Sequence, residues 1–245
     1  MKILVVSDLH YSLKQYDWLT TNLGSIDLVV IAGDLMELAS PVDPETQASV
    51  VEQYFRRICS HVPLVVCSGN HDLIEEYDGT RSPEWLEEIL VPGLTADRGC
   101  YATDEVRILS LPWWESEEER DRIGDWLATQ HDENDDRPVI WVNHAPPLGS
   151  KVSWNGKRDL GDKTLLNWIE KYSPTLVLSG HVHNAPYYAP EGSWIDRVGS
   201  TIVVNGGRMI GERPATVEIE LQGRDLVWCG MEGCEERSFQ EVLTA

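Results

Sequence analysis

The chain has 245 residues, with 41 Asp and Glu against 20 Lys and Arg, for a formal charge of −21. Such a surface repels phosphate backbones, so it argues against extended nucleic-acid binding, which rests on Lys and Arg neutralising phosphates. It leaves room for a small anionic substrate, and the acidity reads as a solubility or intracellular-salt adaptation. The length suits one sizeable core, no linker rich in Pro, Gly or Ser divides it, and one domain over 1–245 is expected. No apolar run approaches the roughly 20 residues that span a bilayer. Five cysteines, without the close pairs of a zinc ribbon, point to a reduced, cytoplasmic protein. Cys67 reads as a buried free thiol, and no bridge is expected between Cys229 and Cys234. No leader is expected either, because the first strand begins at about Lys2 and polar residues follow it at once.

In chain order, Lys2 to Val6 is an apolar strand, followed by Asp8 and His10. Tyr11 to Leu23 predicts a helix, with Gly24 as its C-cap. Leu28 to Ile31 is a second strand, turning at Gly33-Asp34. Pro44 to Ser60 is an amphipathic helix that buries Val50, Val51, Tyr54, Phe55 and Ile58. Leu64 to Val66 is a strand, and Gly69-Asn70-His71-Asp72 follows it. Ser82-Pro83 predicts a helix start as N-cap and N1, with Trp85, Leu86, Ile89 and Leu90 turned inward. Val106 to Leu111 is a strand candidate, and Trp113-Trp114 beyond it could line a pocket or staple a helix to a sheet. Ser116 and Glu119 form a capping box for a helix burying Ile123, Trp126 and Leu127. The acidic run Asp132 to Asp136 reads as a solvated loop.

Val139 to Val142 then leads to Asn143-His144. The polar loop 148–161 carries Lys151, Trp154, Lys157 and Arg158, the one basic cluster close to a ligand-bearing segment. Lys157 and Arg158 are its candidates for binding a substrate phosphate or leaving group. Asp162 caps a helix with Leu165, Leu166, Ile169 and Tyr172 on one face. Thr175 to Leu178 is a buried strand ahead of Gly180-His181-Val182-His183. Thr201 to Val204 is a strand ending at Asn205-Gly206-Gly207, and Ala215 to Leu221 alternates as a half-buried strand before a hairpin turn at Arg224-Asp225.

One pattern recurs five times: an apolar strand, a turn, then a carboxylate, amide or imidazole. It brings up Asp8 and His10, Asp34, Asn70 and His71, His144, and finally His181 and His183. In open α/β sheets a ligand crevice lies beyond the carboxyl ends of the strands, so five such ends can face one pocket. Five of the seven histidines fall in these segments, and only His61 and His131 lie elsewhere. Buried polar residues satisfied by hydrogen bonds explain any one segment, but poorly explain all five.

These blocks resemble the pattern of the calcineurin-like metallophosphoesterases: Asp-x-His, Gly-Asp, Gly-Asn-His-Asp, a later His, then Gly-His-x-His, all in order from Asp8 to His183. The resemblance implies an α/β four-layer sandwich, two mixed sheets face to face with helices outside and a dimetal site at the carboxyl ends of the strands. It implies one metal held by Asp8, His10, Asp34 and His183, and a second held by Asp34, Asn70, His144 and His181. Carboxylate, amide and imidazole ligands suit Mn, Fe, Zn or Ni, with Mn the expected activator. Hydroxide between the two ions would attack phosphorus in line. His71 would assist as transition-state stabiliser or proton donor, with Asp72 as the partner fixing its ring. The expected activity is hydrolysis of a small phosphate ester, with a phosphodiester favoured because small family members without a cap domain often cleave diesters. A monoesterase, a nuclease and a non-catalytic protein-binding scaffold are the alternatives. The Ser/Thr protein phosphatase branch is disfavoured, because Leu35-Met36-Glu37-Leu38 lacks its Asp and Arg.

Overall fold

The computed structural model describes residues 1–75, 79–132 and 134–244. The first strand shows how the core is built. In β1 (Lys2–Val6), Ile3 and Val5 face one apolar cluster, while Leu4 and Val6 face another. A strand buried on both faces needs a continuous apolar run rather than alternation. The same division recurs in β2 (Leu28–Ala32) and β3 (Leu64–Cys67). Helices α1 (Leu13–Thr21) and α2 (Pro44–Cys59) cover the outer face of these strands with Tyr16, Leu19, Val51, Phe55 and Ile58.

The middle of the chain adds β4 (Ile74–Glu75), β5 (Arg81–Ser82), α3 (Glu84–Glu88) and β6 (Leu94–Thr95). Next come β7 (Cys100–Ala102), β8 (Arg107–Ser110), α4 (Glu117–Gln130), β9 (Val139–Val142), α5 (Lys163–Tyr172) and β10 (Leu176–Ser179). The chain closes with β11 (Ile195–Val198), β12 (Thr201–Asn205), β13 (Thr216–Glu220), β14 (Asp225–Gly230), β15 (Gly233–Ser238) and α6 (Phe239–Thr244).

Two mixed sheets result. The larger runs β15-β14-β13-β1-β2-β3-β6 and the smaller β11-β12-β10-β9-β8-β7; β4 and β5 form a separate two-stranded sheet. Strands β1, β2 and β3 are parallel neighbours, and so are β8, β9, β10 and β12. Ile3, Val30, Val65, Ile140, Leu178, Val204 and Ile219 meet between the sheets. Leu109, Trp141, Val177 and Val203 turn outward, under α4 and α5. The expected four layers are therefore observed: helices, sheet, sheet, helices. Strands after His183 complete both sheets, since β12 pairs with β10 and β13 with β1.

Local chemistry accounts for the helix starts. Asp43 accepts the Thr46 N–H at 2.9 Å ahead of Pro44. Ser116 and Glu119 close a reciprocal capping box on α4, and Asp162 caps α5 through the Leu165 N–H at 2.7 Å.

Several expectations are corrected. Helix α1 stops at Thr21 with Asn22 as its cap, short of Gly24. Ser82 lies in β5 and α3 spans only five residues, so Leu90 falls past its end and is 86% exposed. The acidic run at 132–136 lies partly outside the described residues; within it, Asp135 is ion-paired with Arg137 at 2.7 Å and Arg107 at 3.4 Å. Cys229 and Cys234 are disulfide-bonded. The antiparallel register of β14 and β15 sets them directly opposite, with Cα atoms 4.1 Å apart, which sequence spacing alone does not reveal. Cys59, Cys67 and Cys100 are free. Among the described residues no helix is long and apolar enough to cross a membrane.

Candidate metal centre

Both sheets deliver polar side chains to one edge of the sandwich. Strands β1, β2 and β3 lead to Asp8, His10, Asp34 and Asn70, and β9 and β10 lead to His144, His181 and His183. The turns after these strands are tight and stitched to one another. The Asp8 N–H donates to Gly33 O at 3.0 Å, the His10 N–H to Asp34 O at 2.9 Å, and the Gly180 N–H to His144 O at 2.9 Å. Asp8, His10, Asp34 and His181 all take left-handed backbone, with φ of 56°, 45°, 54° and 66°. Asp and His tolerate that region better than most residues, and such strain concentrates where the surroundings over-determine a functional geometry. Two glycines permit the close approach. A Cβ at Gly33, where φ is +80°, would collide with the His144 ring, and one at Gly180 would lie 2.6 Å from Asp8 Oδ2.

The side chains form two adjoining donor sets that share one carboxylate oxygen. In the first, Asp8, His10, Asp34 and His183 place ligand atoms all within 4.8 Å of one another. There His10 Nε2 and His183 Nε2 are 3.1 Å apart, and His183 Nε2 lies 3.2 Å from Asp8 Oδ1. In the second, His181 Nδ1 is 2.9 Å from Asn70 Oδ1, and the His144 and His181 ring centres are 5.2 Å apart. Asp34 Oδ2 stands between the sets, 3.4 Å from His10 Nε2 and 3.2 Å from His144 Nε2. Its other oxygen accepts the His71 N–H at 2.9 Å.

The donor chemistry fits divalent metals. Asp8 Oδ2 and His144 Nε2 are buried without a hydrogen-bond partner. A buried polar atom left unpaired is costly, and here such atoms converge on carboxylates and imidazole nitrogens. His144 Nδ1 is 2.8 Å from Ala32 O, so the Nδ1 hydrogen points at the carbonyl and Nε2 faces the site.

Burial and mutual charge set the protonation of this cluster in the metal-free protein. Burial pushes His10 down to about 4 despite Asp34 and Asp8. Burial and the His144 charge likewise take His181 to about 4. His144 moves the other way, up to about 9: burial opposes its charge, but Asp34 and Asp8 overcome it. For Asp34, burial is outweighed by His144 and His10, and its carboxyl stays well below the ordinary range.

The sequence over residues 1–185 matches the model of the calcineurin-like phosphoesterase family. The chain belongs to that family. Solved structures show the same fold. A Thermus thermophilus protein superposes with a TM-score of 0.59 at 17% identity, covering 97% of this chain and 98% of that one. A purple acid phosphatase from yellow lupin (Lupinus luteus) seeds gives 0.55 at 18% identity, over 99% of this chain and 52% of the lupin chain. Phosphopantetheinyl hydrolase from Mycobacterium tuberculosis gives 0.53 at 12% identity, over 84% and 88%. At these identities the likeness is one of fold. No protein of curated function matches the chain.

Within this calcineurin-like site, His71 stands beside the first donor set, its ring centre 4.5 Å from that of His10. Its expected partner, Asp72, is engaged elsewhere. Asp72 is wholly buried, and its oxygens accept the N–H groups of Leu35 at 2.8 Å, Met36 at 2.9 Å and Gly69 at 2.7 Å. It positions two ligand-bearing loops rather than the His71 ring. The carboxylate beside the ring is Glu37, a residue the sequence reading passed over: Oε1 is 3.2 Å from His71 Nδ1 and Oε2 is 3.2 Å from His10 Nδ1. Gln47 of α2 fixes Glu37 by accepting its N–H at 2.9 Å and donating to its carbonyl at 3.1 Å. The available signal was an acid three residues beyond Asp34, in the same loop.

The two tryptophans part company. Trp113 packs against His181 and His144, at 5.5 and 5.8 Å between ring centres, and walls the second donor set. Trp114 packs on Trp168 of α5. Among the described residues, the side chains of Lys157 and Arg158 make no hydrogen bond or ion pair with a ligand residue. Lys157 and Arg158 are exposed, with their backbone N–H groups tied to Asn155 Oδ1 at 2.9 Å each. Lys151 lines a separate cavity of about 790 Å³ with Asp196, Arg197, Glu235 and Arg237.

Proposed function

We propose that this calcineurin-like phosphoesterase is a metal-dependent hydrolase of small phosphate esters, with phosphodiesters preferred over monoesters. The observation that carries the reading is Asp34 Oδ2 set between His10 Nε2 and His144 Nε2, at 3.4 and 3.2 Å, with Asp8 and His183 beyond one and Asn70 and His181 beyond the other. Asp8, His10, Asp34 and His183 would hold one divalent ion, and Asp34, Asn70, His144 and His181 the other; Mn is the expected activator. When bound, the pair supplies a water acidic enough to ionise near neutral pH and neutralises charge on the phosphoryl oxygens.

The chain's own residues do the rest. Asp34 keeps the two donor sets in contact. His144 presents Nε2 because Ala32 O takes its Nδ1 hydrogen. Glu37 orients the His71 ring through Nδ1, leaving Nε2 to pass a proton to the leaving oxygen, a role that typically contributes about 10²- to 10⁴-fold in rate. Trp113 excludes water from one side of the site. The preference for a diester follows the resemblance to small family members without a cap domain. The charge of −21 disfavours a nuclease acting on long substrates. A cytoplasmic location rests on the cysteine usage, and the Cys229–Cys234 bridge weighs against it, since disulfides are rare in reducing compartments.

The test is turnover of a chromogenic phosphodiester and the matching monoester by protein stripped with chelator and reloaded with Mn²⁺. Metal-dependent release from the diester, faster than from the monoester, is expected. Faster monoester release reverses the preference. No release from either, with two ions bound per chain, defeats the hydrolase reading in favour of a binding role.

A further inference from the structure

Arg208 stands out by what it lacks. It follows β12 and the turn Asn205-Gly206-Gly207, and it is half-buried. Among the described residues its guanidinium makes neither an ion pair nor a hydrogen bond, in a chain with 41 carboxylates and 20 Lys and Arg. Half-burying a guanidinium without a counter-ion is unfavourable, and in so acidic a protein a purely structural arginine finds a partner easily.

Its backbone is held against the metal centre on two sides. The Arg208 N–H donates to His183 O at 3.0 Å. The next residue is anchored to the helix that follows His10, where Gln15 Nε2 donates to Met209 O at 2.8 Å. Asn205 binds the two turns into one unit. Its buried amide donates to Gly180 O at 2.9 Å and Val182 O at 3.1 Å, while its Oδ1 accepts the Gly207 N–H at 2.8 Å. The turn that presents Arg208 is thus welded to the turn that presents His181 and His183.

The charge of Arg208 acts on both His10 and Glu37, the two side chains that face each other beside the first donor set. Two bound divalent ions would carry four positive charges against the three negative charges of Asp8, Asp34 and Glu37. A cation beside them is tolerated only if an anion shares the space, and a guanidinium fork matches the oxygens of a phosphoryl group.

We infer that Arg208 is a substrate-binding residue that contacts the non-bridging oxygens of the scissile phosphoryl group, resting on the phosphohydrolase reading above.

The test compares Mn²⁺-loaded wild type, Arg208→Ala and Arg208→Lys. Inorganic phosphate affinity is measured by calorimetry, metal content by elemental analysis, and KM and kcat with the chromogenic phosphodiester. Arg208→Ala is expected to weaken phosphate binding about tenfold or more and to raise KM, with two ions still bound. Arg208→Lys recovers part of the loss, because it restores the charge without the fork. Unchanged phosphate affinity and KM in Arg208→Ala, beside an active wild type, overturns the inference and leaves the hydrolase reading standing. Loss of metal from both variants also overturns it, by making the residue structural. A wild type that binds two ions but neither binds phosphate nor turns over removes both.

Discussion

The strand-end turns and the loop 148–161 are both polar, both rich in chemistry-bearing side chains, and adjacent in sequence around His144. Their physical situations are opposite. Asp8, Asp34 and His144 are at most 1% exposed, on turns that follow buried strands, and Asp8 and Asp34 are held in left-handed φ. Lys157 and Arg158 are exposed, held only by a local turn around Asn155. Residues on the first kind of turn cannot choose their neighbours, because the sheet register has already done so. Residues on the second kind keep their side-chain freedom, and among the described residues no hydrogen bond or ion pair ties the Lys157 or Arg158 side chain to a ligand.

Substitutions can break this contrast, and the largest effect belongs to the shared oxygen. Asp34→Ala should abolish binding of both ions and reduce turnover to background, read by elemental analysis and phosphodiester release. Retention of one ion with measurable turnover would contradict the bridging role. Next is His71→Ala, which should lower kcat by about 100-fold or more while both ions stay bound. Metal lost in proportion to activity would move His71 into the ligand set.

Glu37→Gln sharpens the picture, since it keeps the shape and removes the charge. We expect about a tenfold fall in kcat, between the effects at His71 and at the loop, with metal content unchanged, because the ring loses its orienting carboxylate but not its position. A full-sized loss equal to that of His71→Ala would make Glu37 a direct participant.

A pH experiment separates His144 from its neighbours. In the metal-free protein its folded value, about 9, lies above the ordinary 6.5. The stability this contributes is therefore complete below about pH 6.5 and is lost as pH rises through about 9. The melting temperature of the metal-free wild type should fall across that window more steeply than that of His144→Gln. Metal uptake at pH 7.5 should release a proton, because the ion displaces it from Nε2. No proton release would show that His144 is already neutral there.

The smallest effect is expected at the loop. Lys157→Ala with Arg158→Ala should leave KM for the phosphodiester within about twofold and metal content unchanged, as exposed surface substitutions usually do little. A large rise in KM would restore the substrate role that their basic character suggested.

Much of the framework was legible before folding. Continuous apolar runs such as Leu28 to Ile31 mark strands buried on both faces, and helix caps such as Asp162 and Ser116 are local interactions within one turn. The polar residues that follow those strands are local too, so the sequence alone determined the strand ends, the ligand types and their order. Pairing was not legible. Glu37 and Asp72 are both acids near His71, and only the packing of the 33–38 loop against the 69–72 turn decided which faces the ring and which holds backbone. Trp113 and Trp114 differ by one position, yet one walls the site and the other staples α5. The bridge between Cys229 and Cys234 required the β14–β15 register, and the approach of Arg208 to a site that begins two hundred residues earlier required β12 to lie beside β10. Residue type and local pattern are carried by the chain itself, whereas a contact at 3 Å between distant residues depends on sheet order and register, which exist only once the chain has folded.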